Sequence, residues 1–132
     1  MKKIISLCLL ILSGCSYADP LEVPGLDAEA FKSDRGGCHG ARMKQIDLLK
    51  ANLDRFTGIS ENEIINGIGR YDYQVLDRRN EKVFVYYLEP GPQCEQMQAP
   101  SQAESLVLYI NAVKLVKEAA IRKGGHGAET SN

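Results

Sequence analysis

The chain predicts an α+β fold, with two N-terminal helices packed on one face of an antiparallel sheet of three to four strands. Three observations predict it. Apolar residues recur every third or fourth position between Arg42 and Phe56, Ser60 stands three residues ahead of Glu63 at the start of a second apolar run, and from Tyr71 onward the period becomes two. An amphipathic helix pair must bury its stripe, and one apolar sheet face supplies the surface to bury it against.

Met43, Ile46, Leu49, Leu53 and Phe56 form the stripe of the first helix, with Lys44, Asp47, Lys50, Asn52 and Asp54 between them. Gly58 suits the left-handed turn that ends a helix. Ser60 and Glu63 make a capping box, so a second, shorter helix should begin at Glu61. Ile64, Ile65 and Ile68 give it an apolar face, and Gly67 and Gly69 end it. Tyr71, Tyr73 and Val75 then alternate with polar neighbours, Arg79-Asn80 reads as a turn, and Lys82 to Leu88 is dense in β-branched and aromatic residues. These two segments predict a hairpin. Pro90-Gly91-Pro92 stops the second strand just before Cys94, a polar loop follows from Glu95 to Glu104, and Leu106 to Ile110 is a third strand. The segment Val113 to Lys123 stays open between two forms. Its Ala, Lys, Leu and Glu content favours helix, whereas a turn at Asn111-Ala112 would make it a return strand. The tail from Gly124 reads as disordered.

Before this domain lies an export signal. Lys2 and Lys3 precede a short apolar run, Ile4 to Leu12, which is too short for the roughly 20 residues that span a bilayer. The run ends in Leu12-Ser13-Gly14-Cys15, which resembles the lipobox of bacterial lipoproteins. The resemblance implies residues 1–14 as a removable signal peptide and Cys15 as the lipidated residue, with Ser16 after it directing the protein to the outer membrane. Several acyl chains on Cys15 would anchor it stably, since each buried methylene contributes about 0.8 kcal/mol. The alternative is cleavage after Ser16-Tyr17-Ala18, which would release a soluble periplasmic protein starting at Asp19. Residues 15–37, with Pro20, Pro24, Gly25, Gly36 and Gly37, read as a flexible tether to a domain over 38–123.

Without residues 1–14 the chain has 118 residues, 14 Lys+Arg and 17 Asp+Glu, enough for one small domain. That mildly acidic balance speaks against nucleic acid. Cys8 leaves with the leader and Cys15 takes lipid, so Cys38 and Cys94 remain and predict one disulfide in an oxidising compartment. A metal site through Cys38, His39 and Cys94 would have only three ligands, two of them adjacent, so no metal is expected.

Catalysis has little to work with. His39 and His126 are the only near-neutral bases, and no nucleophile elbow, phosphate loop or isolated carboxylate pair appears. No enzyme activity, cofactor or small-molecule substrate is expected. The tyrosines Tyr71, Tyr73, Tyr86, Tyr87 and Tyr109 suit half-buried strands, but a sheet face showing Tyr71, Tyr73 and Tyr86 with Arg70, Arg78 and Arg79 would also suit protein recognition. Tyr86 and Tyr87 must point to opposite faces.

Gly58-Ile59-Ser60-Glu61-Asn62-Glu63-Ile64 followed by Ile68-Gly69 resembles the Gly-x-Ser-x-x-x-Val and Leu-Gly pattern of the SmpA/OmlA (BamE-like) family of small outer-membrane lipoproteins. The resemblance covers Met43 to Ile121 and implies that Val113 to Ile121 is the last strand of the sheet. Two departures mark a divergent relative. Arg70-Tyr71-Asp72 stands where the family carries a proline, and the Cys38/Cys94 pair is not a general family feature. What it implies is a lipid-anchored, non-enzymatic scaffold or accessory factor that binds another envelope protein, in outer-membrane protein assembly or envelope integrity. A periplasmic inhibitor or immunity protein against a hydrolase or toxin is the alternative, and a small-ligand carrier would need a sizeable cavity.

Overall fold

The computed structural model describes residues 20–125; the leader, Cys15 and residues 126–132, His126 among them, lie outside the described residues. The sheet is a four-stranded antiparallel meander, β1 (Tyr73–Leu76), β2 (Lys82–Tyr87), β3 (Glu104–Ile110) and β4 (Val116–Lys123), in that spatial order. Three short helices, α1 (Ala28–Ser33), α2 (Ile46–Ala51) and α3 (Glu61–Ile68), lie on one side of it. The fold is therefore the α+β arrangement that the sequence predicts, with the fourth strand present.

Register explains the layers. On β2 and β3, Phe84, Tyr86, Leu106, Leu108 and Ile110 point toward the helices and join Phe31, Ile46, Leu49, Phe56, Ile64 and Ile68 in one buried cluster. The alternate residues Val83, Val85 and Val107 form a second, smaller cluster on the opposite face with Tyr73, Val75 and Tyr109 around it.

The helical half departs from expectation in two places. The predicted helix over Arg42–Phe56 is broken into a 3₁₀ turn at Met43–Gln45, then α2, then a second 3₁₀ turn at Leu53–Phe56. Asn52 makes the second break, because its side-chain amide donates to Leu48 O at 2.8 Å and competes with the helical ladder. Met43, in the first 3₁₀ turn, is exposed rather than in the stripe. The predicted second helix forms as expected. Ser60 accepts from Glu63 N, and Gly69 at φ 89° closes the end.

Of the stretch predicted as a tether, the described part, residues 20–37, is packed. Leu21, Val23 and Leu26 pack against the core, Asp27 caps α1 by accepting from Ala30 N, and Phe31 on α1 is fully buried. These apolar residues are too dispersed among proline and glycine to show a period, yet together they cover the helical layer. Gly124 and Gly125, predicted as disordered, are likewise buried; Gly124 N donates to Ala103 O at 2.8 Å, which carries the chain past the end of β3. The propensity for helix over Val113–Lys123 yields to pairing, since seven residues of β3 face partners on β4.

Candidate functional site

The described residues offer two places where chemistry gathers: a buried polar hub that the sequence gives no sign of, and an open cleft on the outer face of the sheet.

The hub is centred on Arg42, whose side chain is 1% exposed. Its Nη1 donates to Asp72 Oδ2 at 2.7 Å and to Tyr87 O at 3.0 Å, and its Nε donates to Phe31 O at 2.9 Å. The guanidinium also lies over the Phe31 ring, 4.5 Å from its centroid. Asp72 in turn accepts from Gly36 N and Tyr87 N, so both carboxylate oxygens and the Nε and Nη1 of Arg42 have partners. Asp34 accepts from the backbone N–H groups of His39 and Arg42. Burial alone would raise its carboxyl, but those two donors and the Arg42 and His39 charges overcome this and hold it below its ordinary value of 3.8. The hub thus joins α1, the Gly36–Arg42 turn, the segment leading into β1 at Asp72, and β2 at Tyr87.

Cys38 and Cys94 form the disulfide that the sequence predicts. It joins the turn at Arg35–Gly37 to a short 3₁₀ turn at Pro92–Cys94. Gly37 lets these parts meet. It sits at φ 69°, and a Cβ there would stand 2.8 Å from the β2 backbone at Tyr87 O and Leu88 C. Buried Gln93 continues the junction. Its Nε2 donates to Gly36 O and Glu89 O, and its Oε1 accepts from Ser101 Oγ at 2.6 Å. These bonds tie the polar loop between β2 and β3, through Ser101, to its own start and to the turn at Gly36.

That loop forms one wall of the cleft. Met97, Gln98, Pro100 and Gln102 face Tyr73, Val75 and Tyr87 from the sheet across a volume of about 490 Å³. The Tyr73 and Tyr87 rings lie 5.7 Å apart and tilted. Burial, and the neighbouring Tyr73, push the Tyr87 phenol well above its ordinary value, so it stays neutral. Among the described residues, no histidine, lysine, arginine or carboxylate lines the cleft.

The six residues proposed as a recognition face do not share one surface. Tyr86 points to the helical side, is fully buried, and donates its hydroxyl to Gly69 O at 2.8 Å. Tyr71 precedes β1, so strand alternation does not govern it; it stacks on Phe84 at 4.3 Å, again on the helical side, with Arg70 over its ring. Arg78 and Arg79 are exposed in the turn between β1 and β2. Only Tyr73 reaches the outer face, and its partner there is Tyr87. The sequence passed over Met97, Pro100 and the glutamines, which carry no motif; the polar loop's length was the only sign of them.

Comparison with family models, curated proteins and solved structures gives no match. His39 is largely exposed beside Asp34, with Nδ1 at 3.5 Å from Asp34 Oδ1. Both hub carboxylates are engaged by backbone donors and by Arg42. Among the described residues no three His, Cys, Asp or Glu side chains are placed to hold a metal ion together. The same residues contain no helix long and apolar enough to cross a membrane.

Proposed function

We propose that this protein is a non-enzymatic lipoprotein, anchored to the outer membrane through Cys15, whose periplasmic domain binds another envelope protein. The observation that carries the binding part is the cleft. Its lining among the described residues is tyrosine, methionine, proline and amides, and aromatic residues and methionine are what protein interfaces concentrate. The Cys38–Cys94 bridge supports an oxidising compartment. The Leu12-Ser13-Gly14-Cys15 ending supports the anchor. The SmpA/OmlA resemblance remains part of the same proposal, and an accessory role in outer-membrane protein assembly is its most specific form.

The test is affinity recovery of the lipidated protein from its own envelope in mild detergent, beside a Cys15→Ala control, with fatty-acid labelling of both. The expected result is label on the wild type only and one envelope protein recovered in stoichiometric amount. Continued processing of Cys15→Ala to a soluble form would overturn the anchor. Recovery of a single hydrolase or toxin would replace the scaffold reading with that of an inhibitor.

A further inference from the structure

The two edges of the sheet differ in a way that points to how a partner is held. An exposed strand edge is a template for another strand, and proteins ordinarily guard it with charge, bulges or covering chain. β4 is guarded in all three ways. Lys117, Glu118, Arg122 and Lys123 lie along it, its register with β3 is broken at Tyr109/Ile110, and the Gly58–Glu61 segment bonds to the β4 end of the sheet through Gly58 N to Val116 O and Val116 N to Ile59 O.

Among the described residues β1 shows none of these guards. It reads Tyr73-Gln74-Val75-Leu76, without charge or proline, and among the described residues no strand pairs with its outer side. Its four residues pair with Val85, Phe84, Val83 and Lys82 in unbroken register. In such a ladder, alternate residues turn their N–H and C=O away from the partner strand and toward the open edge. Leu76 is 61% exposed there. Tyr73, Gln74 and Val75 of this same strand also line the neutral cleft, so edge and cleft are continuous. Just beyond the strand come Asp77 and then Arg78 and Arg79, both arginines exposed, which leaves net positive charge at one end of an otherwise neutral track.

We propose that the partner docks by strand addition: an extended segment of another protein pairs with the open edge of β1 and seats an uncharged side chain in the cleft between Tyr73, Tyr87, Met97 and Pro100. Main-chain hydrogen bonds give such a complex its affinity and the side-chain pocket its selectivity. Charge complementarity defines the segment further. It is neutral along β1 and carries a carboxylate where it passes Arg78 and Arg79. This inference rests on the protein-binding reading above and specifies the partner's chemistry.

Phage-displayed ten-residue peptides selected on the full chain, with its disulfide intact, supply the probe. Enriched sequences should alternate apolar and polar residues, end in an acidic residue, and bind with roughly micromolar Kd, as a small interface allows. Methylating alternate backbone nitrogens of the peptide should weaken binding at least tenfold in one register and little in the other. Gln74→Lys with Leu76→Lys, which guards the edge, and Gln98→Glu with Gln102→Glu, which charges the cleft, should each weaken it similarly. The methylated peptides keep the test valid on the wild-type chain should either variant fold poorly. No enrichment, or binding indifferent to methylation in both registers, would overturn strand addition. In the envelope recovery experiment, full retention of the partner by a folded Gln74→Lys/Leu76→Lys variant would also overturn it while leaving the protein-binding function standing. Absence of any partner on the wild type would instead sink that broader reading.

Discussion

Arg42 Nη1 lies 2.7 Å from Asp72 Oδ2, and both side chains are buried. The pair ties residues thirty positions apart in the chain, and it also links Phe31 O on α1 to Tyr87 O on β2. Desolvating two charges is costly, so the pair is favourable only with the further bonds that Arg42 Nε and Nη1 give to backbone carbonyls and that Asp72 takes from backbone N–H groups. Removing one partner is therefore worse than never having had either. Arg42→Ala should lower the unfolding free energy by about 3–5 kcal/mol, read by urea denaturation with the disulfide intact. Arg42→Lys should recover only part of that, because an ammonium cannot serve Phe31 O, Tyr87 O and Asp72 in the same fork. A loss below about 1 kcal/mol for Arg42→Ala would contradict the burial of the pair.

Asp34 makes the same region sensitive to acid. Its carboxyl is held below the ordinary 3.8 in the folded state, so the folded protein prefers the ionised form. The stabilisation is present above the unfolded value and is lost as pH falls from about 4 through the folded value. Asp34→Asn should therefore be less stable than wild type at neutral pH, with the gap narrowing below about pH 4. Thermal unfolding from pH 7 to pH 2.5 reads this directly, and a gap constant across that range would show that the Asp34 charge contributes nothing.

These two residues also show where sequence reading stops. The Ser60 cap, the apolar runs of β2 and β3 and the cysteine pair were legible because each follows a local rule or an arithmetic of two. A buried charge pair separated by thirty residues follows no spacing rule, and Arg42 reads like any polar residue at the start of a helix. Strand β4 stayed open between helix and return strand on its residues alone, because pairing with β3 is non-local and overrides the helical leaning of Val-Lys-Glu-Ala-Ala-Ile-Arg-Lys. The packed segment from Leu21 to Phe31 was hidden by prolines and glycines that usually mark linkers. Of the cleft, Tyr73 was foreseen and its loop wall was not.

Tyr86 separates stability from recognition. It was a candidate for the binding face, but its ring packs 6.0 Å from Phe31 and its hydroxyl satisfies Gly69 O at the end of α3. Burial raises its phenol far above the ordinary value, so it titrates nowhere near neutral pH. Tyr86→Phe should cost about 1 kcal/mol, the contribution of one hydrogen bond, and leave partner affinity unchanged. Tyr73→Ala should do the reverse in emphasis, weakening the partner more than the fold. Equal loss of affinity in both variants would place the binding surface on the helical side.

The Cys38–Cys94 bridge closes a loop spanning 56 positions. Chain entropy assigns such a loop about 4 kcal/mol, exerted on the unfolded chain rather than through native contacts. The native junction has its own bonds, since Gln93 holds Gly36 O and Glu89 O whether or not the sulfurs are joined. Replacing both cysteines, as Cys38→Ala with Cys94→Ala, should therefore lower unfolding free energy by up to about 4 kcal/mol while leaving the folded near-UV spectrum and the cleft loop's amide exchange at low denaturant largely intact. If the loop amides instead exchange freely in the double variant, the bridge acts as a native-state clamp on the cleft wall, and reduction would disable peptide binding before it unfolds the domain. Thiol alkylation of the denatured wild type without reductant fixes the starting point: two alkylated cysteines at 38 and 94 would remove the bridge, and both forms of this prediction with it.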